Sequence, residues 1–167
     1  SKDSISVFLS NGMPLVEGGE TWELDVVTGN HSNHSFSDVV FEGATDVVTN
    51  SSITKGKLAA FLEVRDTTVS NVSGTGYMDT LDDLAVTLAL KVNAQHKLGY
   101  DMNQNLGEDF FDATTKAKDM KVNADIIADI SKIAASATVN GDGGNAVSMN
   151  AIKDELTMNS NKSTFSS

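Results

Sequence analysis

The sequence has no cysteine, one proline, one tryptophan and only 12 basic residues among 167. Each shortage excludes something. Without cysteine there can be no disulfide and no thiolate metal site. Affinity for nucleic acid comes mainly from lysine and arginine neutralising phosphates. Here 23 acidic residues face 12 basic ones, the formal net charge is −11, and no basic run occurs. Nucleic acid is therefore not an expected partner, and anionic membrane surfaces are disfavoured on the same ground. The apolar runs fall far short of the ~20 residues a spanning helix needs. No basic-then-apolar signal peptide opens the chain. Because Ser1 is not an initiator methionine, a processed or shortened chain is expected.

What is present is a polar, turn-rich chain. Its Ser, Thr, Asn and Asp side chains compete for backbone hydrogen bonds and favour turns and caps. At this length, area scaling buries about two-thirds of the unfolded surface. That suffices for a core in one domain or two small ones.

Residues 1–54 read as a β-rich segment. Ile5, Val7 and Leu9 alternate as on a half-buried strand. Asn11-Gly12 is a two-residue hairpin signal, and Met13–Val16 is the returning arm. Pro14 there removes a donor and points to an edge position. Trp22, Leu24 and Val26 alternate next. Asp38–Phe41 and Thr45–Val48 bracket Glu42-Gly43 as a second hairpin.

Residues 55–156 read as mainly helical and packed on the β segment. Leu58, Phe61, Leu62 and Arg65 recur at helical spacing after Gly56. Tyr77, Leu81, Leu84, Leu88 and Val92 then step by three or four, with Ala85 and Ala89 widening the stripe. This predicts one long amphipathic helix from Tyr77 to Leu98, its leucine side on the β layer. Thr75 is the expected N-cap and Gly99 the stop. Early Asp79, Asp82 and Asp83 and late Lys91, His96 and Lys97 suit the helix dipole. Residues 99–112 form a Gly/Asn/Asp loop ending in Phe110-Phe111. Asp119–Val122 is a candidate strand. Asn123–Ala135 and Ala146–Leu156 are helical, the first carrying Ile126, Ile127, Ile130 and Ile133, the second Val147, Met149, Ile152 and Leu156. Residues 157–167 are a polar tail. The expected class is α+β: N-terminal antiparallel β-hairpins, then helices.

Candidate chemistry is sparse. Asp101, Asn103 and Asn105 have the spacing of a calcium loop, with Asp112 at the twelfth position. Such a loop needs glycine at its sixth position, but Leu106 stands there and Gly107 comes one place late. The competing reading is a turn held by side-chain to backbone bonds. His31 and His34 lie in a polar stretch without helical signal, and His96 falls on the polar side of the long helix. Three histidines without cysteine make a poor zinc site. The run Gly141–Asn145 before a helix lacks the Lys-Ser/Thr of a phosphate loop. No Gly-x-Ser-x-Gly elbow occurs, and adjacent carboxylates such as Asp82-Asp83 rarely face one another. No enzyme, cofactor or metal is expected.

From Gly56 to Phe111 the chain resembles the flagellar hook-associated protein 1 family. The residues that carry the likeness are Gly56-Lys57-Leu58, Arg65-Asp66, Tyr77, Leu81-Asp82, Leu84-Ala85, Val92-Asn93, His96, Gly99-Tyr100-Asp101 and Gly107 to Phe110-Phe111. The family's proline before the helix-leading tyrosine is missing from Val72–Tyr77. Its long terminal polymerising helices are missing too, so the likeness is to a central region. The resemblance implies a structural subunit at the joint of hook and filament, exported by the flagellar type III system and assembled outside the cell. The implied partners are other axial proteins, namely the hook and a second junction protein, and further copies of itself. Arg65-Asp66 is the signature pair to test, either as a buried Arg–carboxylate contact or as a surface pair contributing under ~1 kcal/mol. The rival from another class is a secreted calcium-binding or adhesin-like surface module.

Overall fold

The structure, a computed structural model, describes residues 5–28, 36–43, 53–71, 73–139, 141–155 and 164–165. Its contacts divide the chain into two compact units, Ser1–Thr80 and Leu81–Ser167. Helices begin near residue 56, yet the first helix belongs to the unit that holds the strands.

In the first unit, β1 (Val7–Phe8), β2 (Pro14–Glu17) and β3 (Glu20–Thr21) form an antiparallel sheet in that order. The Asn11-Gly12 turn is not of the two-residue kind. Gly12 N–H donates to Leu9 O at 2.9 Å and Leu9 N–H to Met13 O at 2.8 Å. Only Gly12 takes positive φ, +85°. This is a three-residue loop with glycine in the left-handed position, and the β1–β2 register slips beside it, between Val7 and Phe8. Pro14 is also corrected. It lies on the central strand of three, but as its first residue, where a missing donor is tolerated.

β4 (Leu24–Thr28) pairs with β5 (Ser37–Phe41) in antiparallel register, from Leu24 opposite Phe41 to Thr28 opposite Ser37. The partner of β5 found among the described residues is the strand that precedes it; the returning arm of the hairpin expected across Glu42-Gly43, residues 45–48, falls outside them. The ladder matches apolar with apolar, Leu24 with Phe41 and Val26 with Val39, a cross-strand gain the turn signal alone did not weigh.

α1 (Gly56–Glu63) turns Ala59 and Leu62 toward Ile53, Leu9, Val39 and Phe41. These make the core of the unit. Leu58, expected there, is largely exposed, as is Phe61. The helix then widens into a π-helical stretch, Val64–Val69, closed by Ser70 N–H on Arg65 O at 3.0 Å.

α2 (Tyr77–His96) is the long helix. Thr75 does not cap it. Instead Asp79, three residues into the helix counting from Gly76, reaches back to Gly76 N–H at 3.1 Å. That is the acidic half of a capping box. The buried stripe is Ala85, Ala89 and His96, with Val92 half-buried between them. Tyr77 is exposed and Leu81 is 55% exposed, while Leu84 and Leu88 are half-buried. At 100° per residue the buried face is rotated by roughly 70° from the expected leucine stripe. Leu81 is therefore not core.

In the second unit α2 packs on irregular chain. α3 (Ala124–Ala128) and α4 (Gly144–Ala151) are short, and 3-10 turns occupy Ala117–Asp119, Ile130–Lys132 and Ile152–Asp154. The expected strand at 119–122 is reduced to a single bridge, Phe111 to Val122. The helix expected through Ala135 breaks at Asp129, whose carboxylate accepts from Ser131 N–H at 3.0 Å and starts the 3-10 turn. Ile126 is buried, but Ile127 and Ile130 are exposed. Around α4 the buried residues are Asn145 and Ile152, not Val147. Leu156 lies outside the described residues.

Two exposed carboxylates pin these turns. Asp142 accepts from Gly144 N–H at 2.9 Å and Ala137 N–H at 2.8 Å. These bonds hold its pKa below the usual carboxylate range, and the bonds of Asp129 to Ser131 do the same. A carboxylate with a depressed folded pKa stabilises above its unfolded pKa, about 3.9, and the gain is lost as pH falls through the folded value. The melting temperature should therefore drop below about pH 4. In Asp142→Asn the amide oxygen keeps both donors, so melting near neutral pH should change little while the acid drop shrinks. A melting series in pH checks this; an unaltered acid drop would refute it.

Candidate functional site

The chain has a single arginine, Arg65, on the π-helical stretch of the first unit. Its Nε meets Asp66 Oδ1 and its Nη2 donates to Asp66 Oδ2 at 2.8 Å. Nη1 donates to Ser37 O at the start of β5. Nη2 also lies 3.6 Å from Asp38 Oδ1. The Phe36 ring sits 5.8 Å from the guanidinium carbon, within cation–π range. The Asp38 side chain is only 2% exposed and that of Asp66 6%. The bond to Asp66 raises the Arg65 pKa above its already high value, against the effect of burial. One planar fork thus ties the helical stretch to β5 through two buried acids and a carbonyl. Asp38 was missed in the sequence. The available signal was an acid in the run Asp38–Phe41 sharing a strand face with Val40, which is also buried.

The second assembly surrounds the end of α2. His96 is fully buried. Ala134 N–H donates to its Nε2 at 2.9 Å, and its Nδ1 lies 2.7 Å from Glu108 O. Nε2 must then be the acceptor and Nδ1–H the donor, a neutral ring committed at both nitrogens. The expected position on the polar side of the helix is corrected by these partners, which come from distant segments. One turn earlier, Asn93 clamps Phe111 from both sides, Nδ2 to its O at 2.9 Å and Oδ1 from its N–H at 2.8 Å. Gln95 Nε2 donates to Asn145 Oδ1 at 2.7 Å, and Asn145 Nδ2 to Ala134 O at 2.6 Å. Phe110 meets His96 edge-on at 5.4 Å and Phe111 at 5.0 Å. Gly99 is needed here for space: a Cβ would fall within 3.0 Å of Asn145 Nδ2 and Ala134 O. Gly56, by contrast, takes φ +87° at the start of α1. Sequence reading missed Asn145 and Gln95, because amides that hold backbone leave no periodic trace.

The calcium-loop residues have other employment. Asp101 Oδ1 accepts from Asn103 N–H and Asn105 N–H, each at 2.8 Å. Asn103 Nδ2 donates to Ser131 Oγ at 3.0 Å. Asp112 pairs with Lys121 at 3.2 Å. This is the side-chain to backbone turn. Among the described residues no three His, Asp or Glu side chains cluster for a metal; His31 and His34 lie outside them. A shallow recess of about 320 Å³ beside Tyr100, Ile133 and Ser136 contains one acid, Asp101, already held by backbone. His96 cannot act as a base for anything outside, since both nitrogens are used on the main chain.

Both assemblies are therefore fastenings that hold separate segments of each unit together. The family model for the flagellar hook-associated protein FlgK helical domain matches residues 1–111. The solved flagellar hook junction protein FlgK from Burkholderia pseudomallei is similar with a TM-score of 0.51 and 33% sequence identity. That match covers 67% of this chain but 21% of the relative, so the chain spans about a fifth of that protein's length. No curated protein sequence matches. The chain belongs to the flagellar hook-associated protein FlgK family, a structural family of the flagellum, which lies outside the cell.

Proposed function

We propose that this chain is a central portion of a subunit joining the flagellar hook to its filament, acting by protein–protein assembly and not by catalysis. The observation that carries this reading is the family match over residues 1–111 together with the likeness to a hook junction protein. The two fastenings support it, because the polar groups they gather hold backbone, a partner charge or each other. The partners in this reading are the hook, a second junction protein and further copies of the same subunit. Export unfolded through the type III channel fits a chain with no cysteine to cross-link on the way.

The test is genetic. Deleting the gene in its own bacterium should leave hooks that carry no filament under the electron microscope, with motility lost. The full-length gene should restore both. A deletion strain with its normal number of attached filaments would overturn the assignment.

A further inference from the structure

β4 has one edge taken and one edge open. Glu42 N–H donates to Glu23 O at 2.9 Å, so Glu23, Asp25 and Val27 present their backbone to β5. By antiparallel alternation, Leu24, Val26 and Thr28 present theirs to the opposite edge. Val26 shows the direction: among the described residues its N–H meets the neighbouring Asp25 Oδ1, at 2.7 Å, and no strand. The same alternation puts Trp22 on that edge, and there its N–H is taken by Leu15 O of β2 at 2.9 Å. The edge opens where β2 ends.

The side chains along it are apolar and uncovered. Trp22, Leu24, Val26 and Val27 are all substantially exposed. The charge around them has one sign. Residues 5–28 contain Glu17, Glu20, Glu23 and Asp25 and no Lys, Arg or His. Among the described residues none of these four enters an ion pair, whereas Lys91, Lys97, Lys121 and Lys132 of the second unit each pair with an acid. An unprotected apolar edge is a template for another strand. Pairing with its own copy would bring two acidic edges of like charge together, which self-repulsion disfavours.

We propose that the open edge of β4, Leu24–Thr28, is a docking site for an extended segment of a partner protein that alternates apolar and basic side chains. Main-chain bonds to Leu24, Val26 and Thr28 would supply affinity. Glu23 and Asp25 would select cations over anions. The site stands apart from the junction assignment and would hold whether or not the whole protein sits at the hook.

The experiment uses the 15N-labelled chain and a blocked hexapeptide alternating lysine and valine. Saturable amide shifts are expected at Leu24, Val26 and Thr28, weakening at high salt as screening shortens the reach of the charges. A glutamate–valine peptide should shift nothing there. The double variant Glu23→Gln with Asp25→Asn keeps the Asp25 acceptor oxygen and should bind about fivefold more weakly. Val26→Pro removes a donor on the open edge, which folded edge strands tolerate; it should keep the parent's circular dichroism and abolish binding. Equal binding of both peptides, shifts located elsewhere, binding undiminished in either variant, or a self-associated chain in sedimentation would each overturn the proposal.

Discussion

Replacing His96 by alanine should cost about 4 kcal/mol, enough to lower the melting temperature by about 8–16 °C. The ring is fully buried and bonded at both nitrogens. Alanine would leave Ala134 N–H and Glu108 C=O without partners, each costing about 1–3 kcal/mol, and would open a cavity against the Phe110 ring. Leucine tells the two contributions apart. His96→Leu refills much of the volume but restores neither bond, so it should recover only a minority of the loss. Differential scanning calorimetry of the three proteins checks this. If His96→Leu melts like the parent, packing alone matters and the hydrogen-bonded role is wrong. The tautomer has its own signature: 15N spectra should show a protonated Nδ1 and a bare Nε2 at neutral pH.

Removal of the Arg65 side chain should be nearly as damaging, about 3 kcal/mol. Breaking a buried ion pair from one side typically costs 3–5 kcal/mol, because the remaining charge stays buried. Arg65 is 23% exposed, and water can reach part of the site, so the lower end applies. Two acids, Asp38 and Asp66, would lose their cation at once. Arg65→Lys should rescue little. A single ammonium cannot reproduce the two-pronged bond of Nε and Nη2 to Asp66 together with that of Nη1 to Ser37 O. Adding Asp38→Asn and Asp66→Asn to Arg65→Ala should return part of the lost stability, since no buried charge is then abandoned. If Arg65→Ala melts within a degree or two of the parent, the contact is an ordinary surface pair.

The legible parts of this fold were those written by local spacing. The long helix was readable because apolar residues recur over more than five turns and glycines flank it. The first hairpin was readable from Asn11-Gly12, although the turn used a third residue. Two things were not local and so not legible. The pairing of β5 with β4 was decided by a register that no turn signal marks. The burial of His96 was decided by Glu108 and Ala134, 12 and 38 residues away. Helical periodicity counts histidine as polar and cannot see that distant backbone will satisfy it. Leu81 and Leu58 erred in the opposite sense: apolar residues on a predicted stripe that the packed face turned out to miss. The signature pair Arg65-Asp66 could be located by spacing, but its third member, Asp38, emerged only from the three-dimensional arrangement.

The side-chain clamps of the second unit also show how much chain one short stretch of helix commands. They close chain separations of 18, 38 and 50 residues, from Asn93 to Phe111, His96 to Ala134 and Gln95 to Asn145. All three side chains on the helix lie within four residues of one another, so about one turn of α2 anchors three later segments. Each doubling of span costs only about 0.6 kcal/mol more in closure entropy, so the longest of these ties is little dearer than the shortest.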